Sequence, residues 1–147
     1  MIYNINDKNS KYIAANLIKN GEIIVYPTDT IYGFGVDASN SQAIEKLNQL
    51  KNREKPYSIV VETINMLKNY ADISNNLEEH IKQFVPGPYT FILNNKYNKN
   101  LSDFISLNLK TIGVRIPDHF FPINVVALTK IPIVTTSVNI HKSKSIN

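Results

Sequence analysis

Short β-branched runs, each set off by a stretch of helical periodicity, constrain this chain more than any other feature. Glu22–Tyr26, Ser58–Val61, Thr111–Ile116 and Ile131–Thr136 read as strands, rich in Ile and Val. Between them, Lys11–Asn20 repeats apolar residues at helical spacing (Ile13, Ala14, Leu17, Ile18), with Ser10 placed to cap it and Gly21 to end it. Ser41–Lys51 does the same with Ala43, Ile44, Leu47 and Leu50 inward. Thr63–Tyr70 reads as a short helix. Asn75 and Glu78 have capping-box spacing ahead of Leu77, Ile81 and Phe84. Ile123–Thr129 reads as a last helix, and Ile2–Ile5 as a short first strand. Alternation of this kind builds an α/β domain around one sheet. Pro86-Gly87-Pro88 forces a loop before a further strand, Tyr89–Leu93, and no helix separates that strand from Thr111–Ile116. The sheet is therefore expected to be mixed.

With 147 residues, the chain is long enough for one domain with a real core and too short for two ordinary ones. No apolar run approaches the ~20 residues that span a bilayer, and MIYNINDKNS lacks the form of a signal peptide. Cysteine is absent, which excludes disulfides and thiolate metal sites and fits a reducing cytoplasm. Sixteen basic against twelve acidic residues give a net charge of +4. That suits an anionic partner such as a nucleotide or RNA. The codon bias of an AT-rich genome, visible in the abundant Asn, Ile, Lys and Tyr, explains it equally well.

Chemistry is expected at the strand ends, where ligands of open α/β sheets gather. The first such place is YPTDTIYGFGVDA, where Thr28, Asp29, Thr30 and Tyr32 stand just ahead of Gly33 and Gly35. The hydroxyls can donate to a carboxylate or accept from an amine; a structural loop is the plainer reading. The second is Lys51-Asn52-Arg53-Glu54-Lys55, at the end of a helix. Cations there are favoured by the helix dipole, and Lys51 and Arg53 also suit a phosphate. Their place at a helix end, rather than in a core, predicts that either can be removed with the fold intact. The third is Thr135-Thr136-Ser137-Val138-Asn139, again small and polar after a strand. In the fourth, alternation puts Thr111, Gly113 and Arg115 on one face. An arginine on a sheet face needs an anion, either a ligand carboxylate or an internal Asp or Glu. His80, His119 and His141 have no metal-ligand spacing, and neither a Ser-His-Asp set nor a Walker-type phosphate loop is present.

Taken in order, YPTDTIYGFGVDA, LKNREKP, PGPYTFIL, TIGVRIPDH and TTSVN resemble the successive motifs of the YrdC/TsaC family, the threonylcarbamoyl-AMP synthases. The resemblance runs from about residue 10 to 139. It implies a twisted, mixed α/β sheet with flanking helices around a concave, basic cavity. It implies formation of threonylcarbamoyl-adenylate and pyrophosphate from L-threonine, bicarbonate and ATP, with Mg2+ on the phosphates. The product serves modification of the adenosine beside the anticodon of tRNA, directly or through a transferase partner. By the same resemblance Thr28, Thr30, Tyr32, Arg115 and Thr135 hold the threonine, Arg115 through its carboxylate. Lys51 and Arg53 match the phosphate-binding pair, Ser137 and Asn139 its partner pair, and Lys55 and Thr111 fall near ATP contacts. Such a reaction needs positioning and charge neutralisation more than acid–base groups. After Asn139 only IHKSKSIN remains, so the expectation is one YrdC-like domain over residues 1–147 that lacks the family's C-terminal Ser/Thr and Arg segment after about residue 140. Two alternatives stay open. One is a catalytically weak nucleotide- or RNA-binding module of the same fold. The other is a carbamoyl-transfer domain like those of hydrogenase maturation proteins.

Overall fold

A computed structural model describes residues 1–139. The helices are α1 (Ser10–Lys19), α2 (Ser41–Lys51), α3 (Ile64–Leu67), α4 (Asn75–Ile81) and α5 (Phe120–Thr129). The strands are β1 (Ile24–Tyr26), β2 (Gly33–Gly35), β3 (Ser58–Val60), β4 (Ala71–Asp72), β5 (Phe91–Asn95), β6 (Thr111–Arg115) and β7 (Ile133–Ser137). The strands form one sheet in the order β1-β2-β7-β3-β6-β5-β4. Only β3 and β6 run parallel, so the sheet is mixed, as the missing helix between β5 and β6 requires.

Register decides which side chains share a face. Ile59 on β3 lies opposite Val114 on β6 and Val134 on β7. All three are fully buried and belong to the larger core, with Ala43, Ile44 and Leu47 of α2, Leu67 of α3 and Ile81 of α4. One residue further along, Val60 lies opposite Arg115 and Ile133. Val60 and Ile133 turn to the other face, where Ala14 and Ile18 of α1 and Val125 and Val126 of α5 cover them with Tyr26. Burying each such aliphatic side chain is worth roughly 1.5–3 kcal/mol. Helices therefore flank both faces.

On that second face, side-chain size determines the surface. Tyr26 is fully buried, and its ring lies against β2. A Cβ on Gly35 would stand 2.7 Å from Tyr26 Cε1, so the flat ring needs a residue without a side chain there. Gly113 likewise leaves room for the Ser58 hydroxyl, which a Cβ would strike.

Several local expectations are corrected. Residues 2–5 form no strand; the segment turns instead, with Asp7 N–H donating to Asn4 O at 3.0 Å. Asn9, not Ser10, occupies the N-cap of α1, and Ser10 Oγ bonds back to Asp7 O at 2.8 Å. Leu50 is 51% exposed and Lys51 only 2%, the reverse of the expected inward face. Ser74 rather than Asn75 caps α4, accepting from Leu77 N–H at 3.2 Å, and Leu77 and Phe84 stay exposed. α5 begins three residues earlier than Ile123, at Phe120. His119 Nδ1 accepts from Phe121 N–H, and Pro122 is tolerated because a first-turn N–H has no partner within the helix. The short strands β2 and β4 were not foreseen.

The glycine packing gives a stability test. Gly35→Ala is expected to destabilise the fold by about 1–3 kcal/mol, since the ring or the strand must shift. Gly33→Ala, whose Cβ would meet nothing nearer than 3.4 Å, should lose less than about 1 kcal/mol. Denaturant melts of both variants check the order; equal losses would mean that the Tyr26 ring does not set the requirement.

Candidate functional site

The chain leaves β1 through Pro27 into a loop held by its own hydroxyls. Thr28 Oγ1 donates to Ile31 O at 2.7 Å. It accepts from Thr30 N–H at 3.1 Å and lies 3.1 Å from Thr30 Oγ1. A hydroxyl has one proton, and Thr28's is given to a carbonyl, so Thr30 is the donor of that pair. Asp29 reaches across to β6. Its carboxylate takes Arg115 Nη2 through Oδ1 and Asp118 N–H through Oδ2, the latter at 2.8 Å. Arg115 Nη2 also donates to Thr30 Oγ1 at 3.1 Å. The Arg115 and Asp29 side chains are each 11% exposed. The anion that an arginine on this face requires is thus an internal aspartate. Arg115 Nε is buried and has no hydrogen-bond partner among the described residues.

A cleft of ≈ 180 Å³ opens beside this pair. Thr28, Thr30, Tyr32, Arg115, Thr135 and Ser137 all line it, brought there from three separate stretches of sequence. Sequence reasoning missed Ser58 and Thr90, which also line it. The available signal for Ser58 was a hydroxyl at the head of the apolar run Ile59-Val60-Val61; its place opposite Thr135 comes only from the register. Sequence reasoning offered an internal Asp or Glu as one possible partner of Arg115 without singling out Asp29. Tyr26 lies beneath the cleft. Burial pushes its hydroxyl up to about 12, against the opposing effects of a Thr135 hydrogen bond and the Arg115 charge.

Lys51, Ser137 and Asn139 meet at the end of β7. Lys51 Nζ donates to Ser137 O at 2.6 Å and Asn139 O at 3.0 Å, and lies 5.6 Å from the centre of the Phe34 ring. Ser137 Oγ donates to Asn139 Oδ1. Burial lowers the pKa of the Lys51 ammonium, and the Arg53 charge lowers it further. Arg53 follows the left-handed C-cap Asn52 and stacks its guanidinium 5.4 Å from the Tyr57 ring centre. Its Nε is buried without a hydrogen-bond partner among the described residues. Arg53, Lys55 and Thr111 do not line the cleft; Lys55 and Thr111 are exposed. His80 and His119 make local helix contacts, and His141 lies outside the described residues. Among the described residues no group of three or more His, Cys, Asp or Glu side chains is placed to hold a metal, and no helix is long and apolar enough to cross a membrane.

One mixed seven-stranded sheet flanked by helices, with a polar cleft on one face, defines the class: an α/β protein of the Sua5/YrdC type. A family model described as telomere recombination, Sua5/YciO/YrdC, matches residues 16–147, and the chain belongs to that family. A putative threonylcarbamoyl-AMP synthase of Methanocaldococcus jannaschii is 37% identical over 98% of this chain and 69% of its own length. The threonylcarbamoyl-AMP synthase of Bacillus subtilis is 30% identical over 90% of this chain, which spans only 39% of that protein. The crystal structure of P. abyssi Sua5 complexed with L-threonine superposes with a TM-score of 0.81 at 31% identity, covering 88% of this chain and 38% of that one.

The removable-lysine expectation is corrected for Lys51, which is a core residue. Lys51→Ala should destabilise the fold by about 2–4 kcal/mol, through a cavity and stranded carbonyls. A pH effect accompanies it. Because the folded pKa is lowered, the unfolded state binds more protons between that value and the ordinary lysine value, and stability rises with pH across this window. Wild-type protein should therefore gain stability over Lys51→Met between about pH 7 and about pH 10. Urea melts at both pH values measure it; a stability difference, wild type minus Lys51→Met, that stays constant or falls as pH rises would mean that burial does not disfavour the ammonium.

Proposed function

We propose that this chain converts L-threonine, bicarbonate and ATP into threonylcarbamoyl-adenylate, pyrophosphate and water, in the cytoplasm, for modification of tRNA. The observation that carries the reading is the convergence of Thr30, Tyr32, Arg115, Thr135 and Ser137 on one cleft. The names of the two relatives and the L-threonine in the P. abyssi structure support it.

In this reading Arg115 takes the amino-acid carboxylate, while Thr30, Tyr32 and Thr135 surround the rest of the threonine. Thr28 keeps the loop in shape. The amine and bicarbonate yield a carbamate, whose oxygen attacks the α-phosphorus of ATP as pyrophosphate leaves. Arg53, Ser137 and Asn139 stand on the phosphate side, with Lys51 adding its charge from beneath the Ser137–Asn139 turn. Lys55 and Thr111 make outlying ATP contacts. The only carboxylate of the loop, Asp29, is already given to Arg115 and Asp118. These residues do not fit a resident metal, and Mg2+ is written here as part of the substrate, on the phosphates of ATP. Transfer to tRNA follows directly or through a partner.

Mass spectrometry for threonylcarbamoyl-adenylate after incubation with L-threonine, bicarbonate and Mg-ATP tests the proposal. The expected result is threonine-dependent adenylate and pyrophosphate. ATP binding without either product would make the chain a nucleotide-binding module; pyrophosphate exchange that needs carbamoyl phosphate would make it a carbamoyl-transfer domain. Arg53→Ala should weaken ATP binding about 10- to 100-fold, the worth of a hydrogen bond to a charged group, without lowering the melting temperature. Unchanged ATP affinity would confine Arg53 to its stacking on Tyr57.

A further inference from the structure

A guanidinium presents a parallel pair of N–H groups along two edges, Nε with Nη2 and Nη1 with Nη2. Both edges include Nη2. In this chain Nη2 is the nitrogen that donates to Asp29 and to Thr30, so its two protons are taken. No edge of Arg115 remains for a two-point contact with a ligand carboxylate. Meanwhile Nε, which shares an edge with Nη2, is buried with no hydrogen-bond partner among the described residues. A buried donor left unpaired is unfavourable. Asp29 also holds Asp118 N–H, so the same carboxylate ties the loop carrying Thr30 and Tyr32 to the chain just beyond β6.

An incoming carboxylate has two courses. It can accept from Nη1 alone while Asp29 stays, which puts two carboxylates on one cation whose side chain is only 11% exposed. Or it can take Nη2 from Asp29 and pair with Nε and Nη2 together. The second course keeps one anion to one cation and gives the orphaned Nε a partner. We infer that Asp29 is an internal stand-in for the ligand carboxylate, and that an amino acid binds in the cleft by displacing Asp29 from Arg115. Asp29 is then a positioning residue that sets carboxylate affinity, and its release frees the loop around Thr30 as the ligand enters. The inference rests on the proposed function only in naming threonine as that ligand.

Asp29→Asn keeps the shape and an acceptor for Asp118 N–H and removes the competing charge. Calorimetry should show L-threonine binding tighter than wild type by about five- to tenfold. L-Threoninamide, which has no carboxylate, should gain nothing. In a ligand titration followed by NMR, the Arg115 Nε–H resonance should move with L-threonine and not with the amide. If Asp29→Asn lowers the melting temperature, Asp29→Ser serves instead, with the same expected direction. Threonine affinity that is unchanged or weaker in the folded variant overturns the inference, because Asp29 would then support Arg115 rather than compete for it. The same titrations with 3-hydroxybutyrate separate this from the proposed function. Should neither protein bind threonine while the variant binds 3-hydroxybutyrate more tightly, the substrate assignment fails and the exchange stands. Should no carboxylate bind either protein, both fail.

Discussion

A buried ammonium holds the cleft end of β7 in place. Lys51 closes α2, yet it is 2% exposed and reaches over Phe34 to the carbonyls of Ser137 and Asn139. Taking an ammonium out of water is unfavourable by several kcal/mol unless its protons find acceptors. The acceptors here are backbone carbonyls at the exit of β7, so the contact fixes main chain as well as side chain. The position of α2 is set in turn by Ile44 and Leu47, which pack in the same core as Ile59 and Val134. The rim of the cleft at Ser137 is thereby referred, through one cation, to the packing of the opposite face of the sheet.

That opposition explains where the cleft lies. The core with α2, α3 and α4 receives large aliphatic residues from every central strand. On the other face, α1 and α5 cover Val60, Ile133 and Tyr26. Two residues away along β3 and β7 the pattern changes to Ser58 and Thr135, with Gly113 beside Ser58. Small and polar residues leave room that larger ones would fill, and the cleft is that room. Its floor is still firm, because the Tyr26 ring lies packed against β2 beneath it.

Much of this was legible in the sequence, and the losses have physical causes. The period of the apolar residues located α1, α2, β6 and β7, and the unbroken β-branched run Ile59-Val60-Val61 located β3 despite its three residues. β2 and β4 have three and two residues, too few for a period to show. The inward face of α2 was misjudged because a lysine at a helix end normally stays in water, whereas this one finds carbonyls across the core. In the loop after β1, residue types pointed to a polar site, but pairing is not written in residue types. Asp29 and Arg115 are 86 residues apart, and only the arrangement of β1 and β6 around the cleft joins them.

The same loop shows how a hydrogen-bond chain can acquire a direction. Arg115 only donates, and the carbonyl of Ile31 only accepts. Between them, the hydroxyls of Thr30 and Thr28 must pass their protons the same way, from Arg115 toward Ile31. Thr30 has therefore given up its proton and keeps one lone pair. It can accept from a ligand O–H or N–H in the cleft, and it cannot donate to a carboxylate without breaking the chain. Thr28, which also accepts from Thr30 N–H, has nothing left to offer. Two threonines that look interchangeable in PTDT thus differ in kind. Thr28 shapes the loop, Thr30 keeps one lone pair that only a donor can use, and of the three side chains in this chain of bonds only Arg115 carries a positive charge.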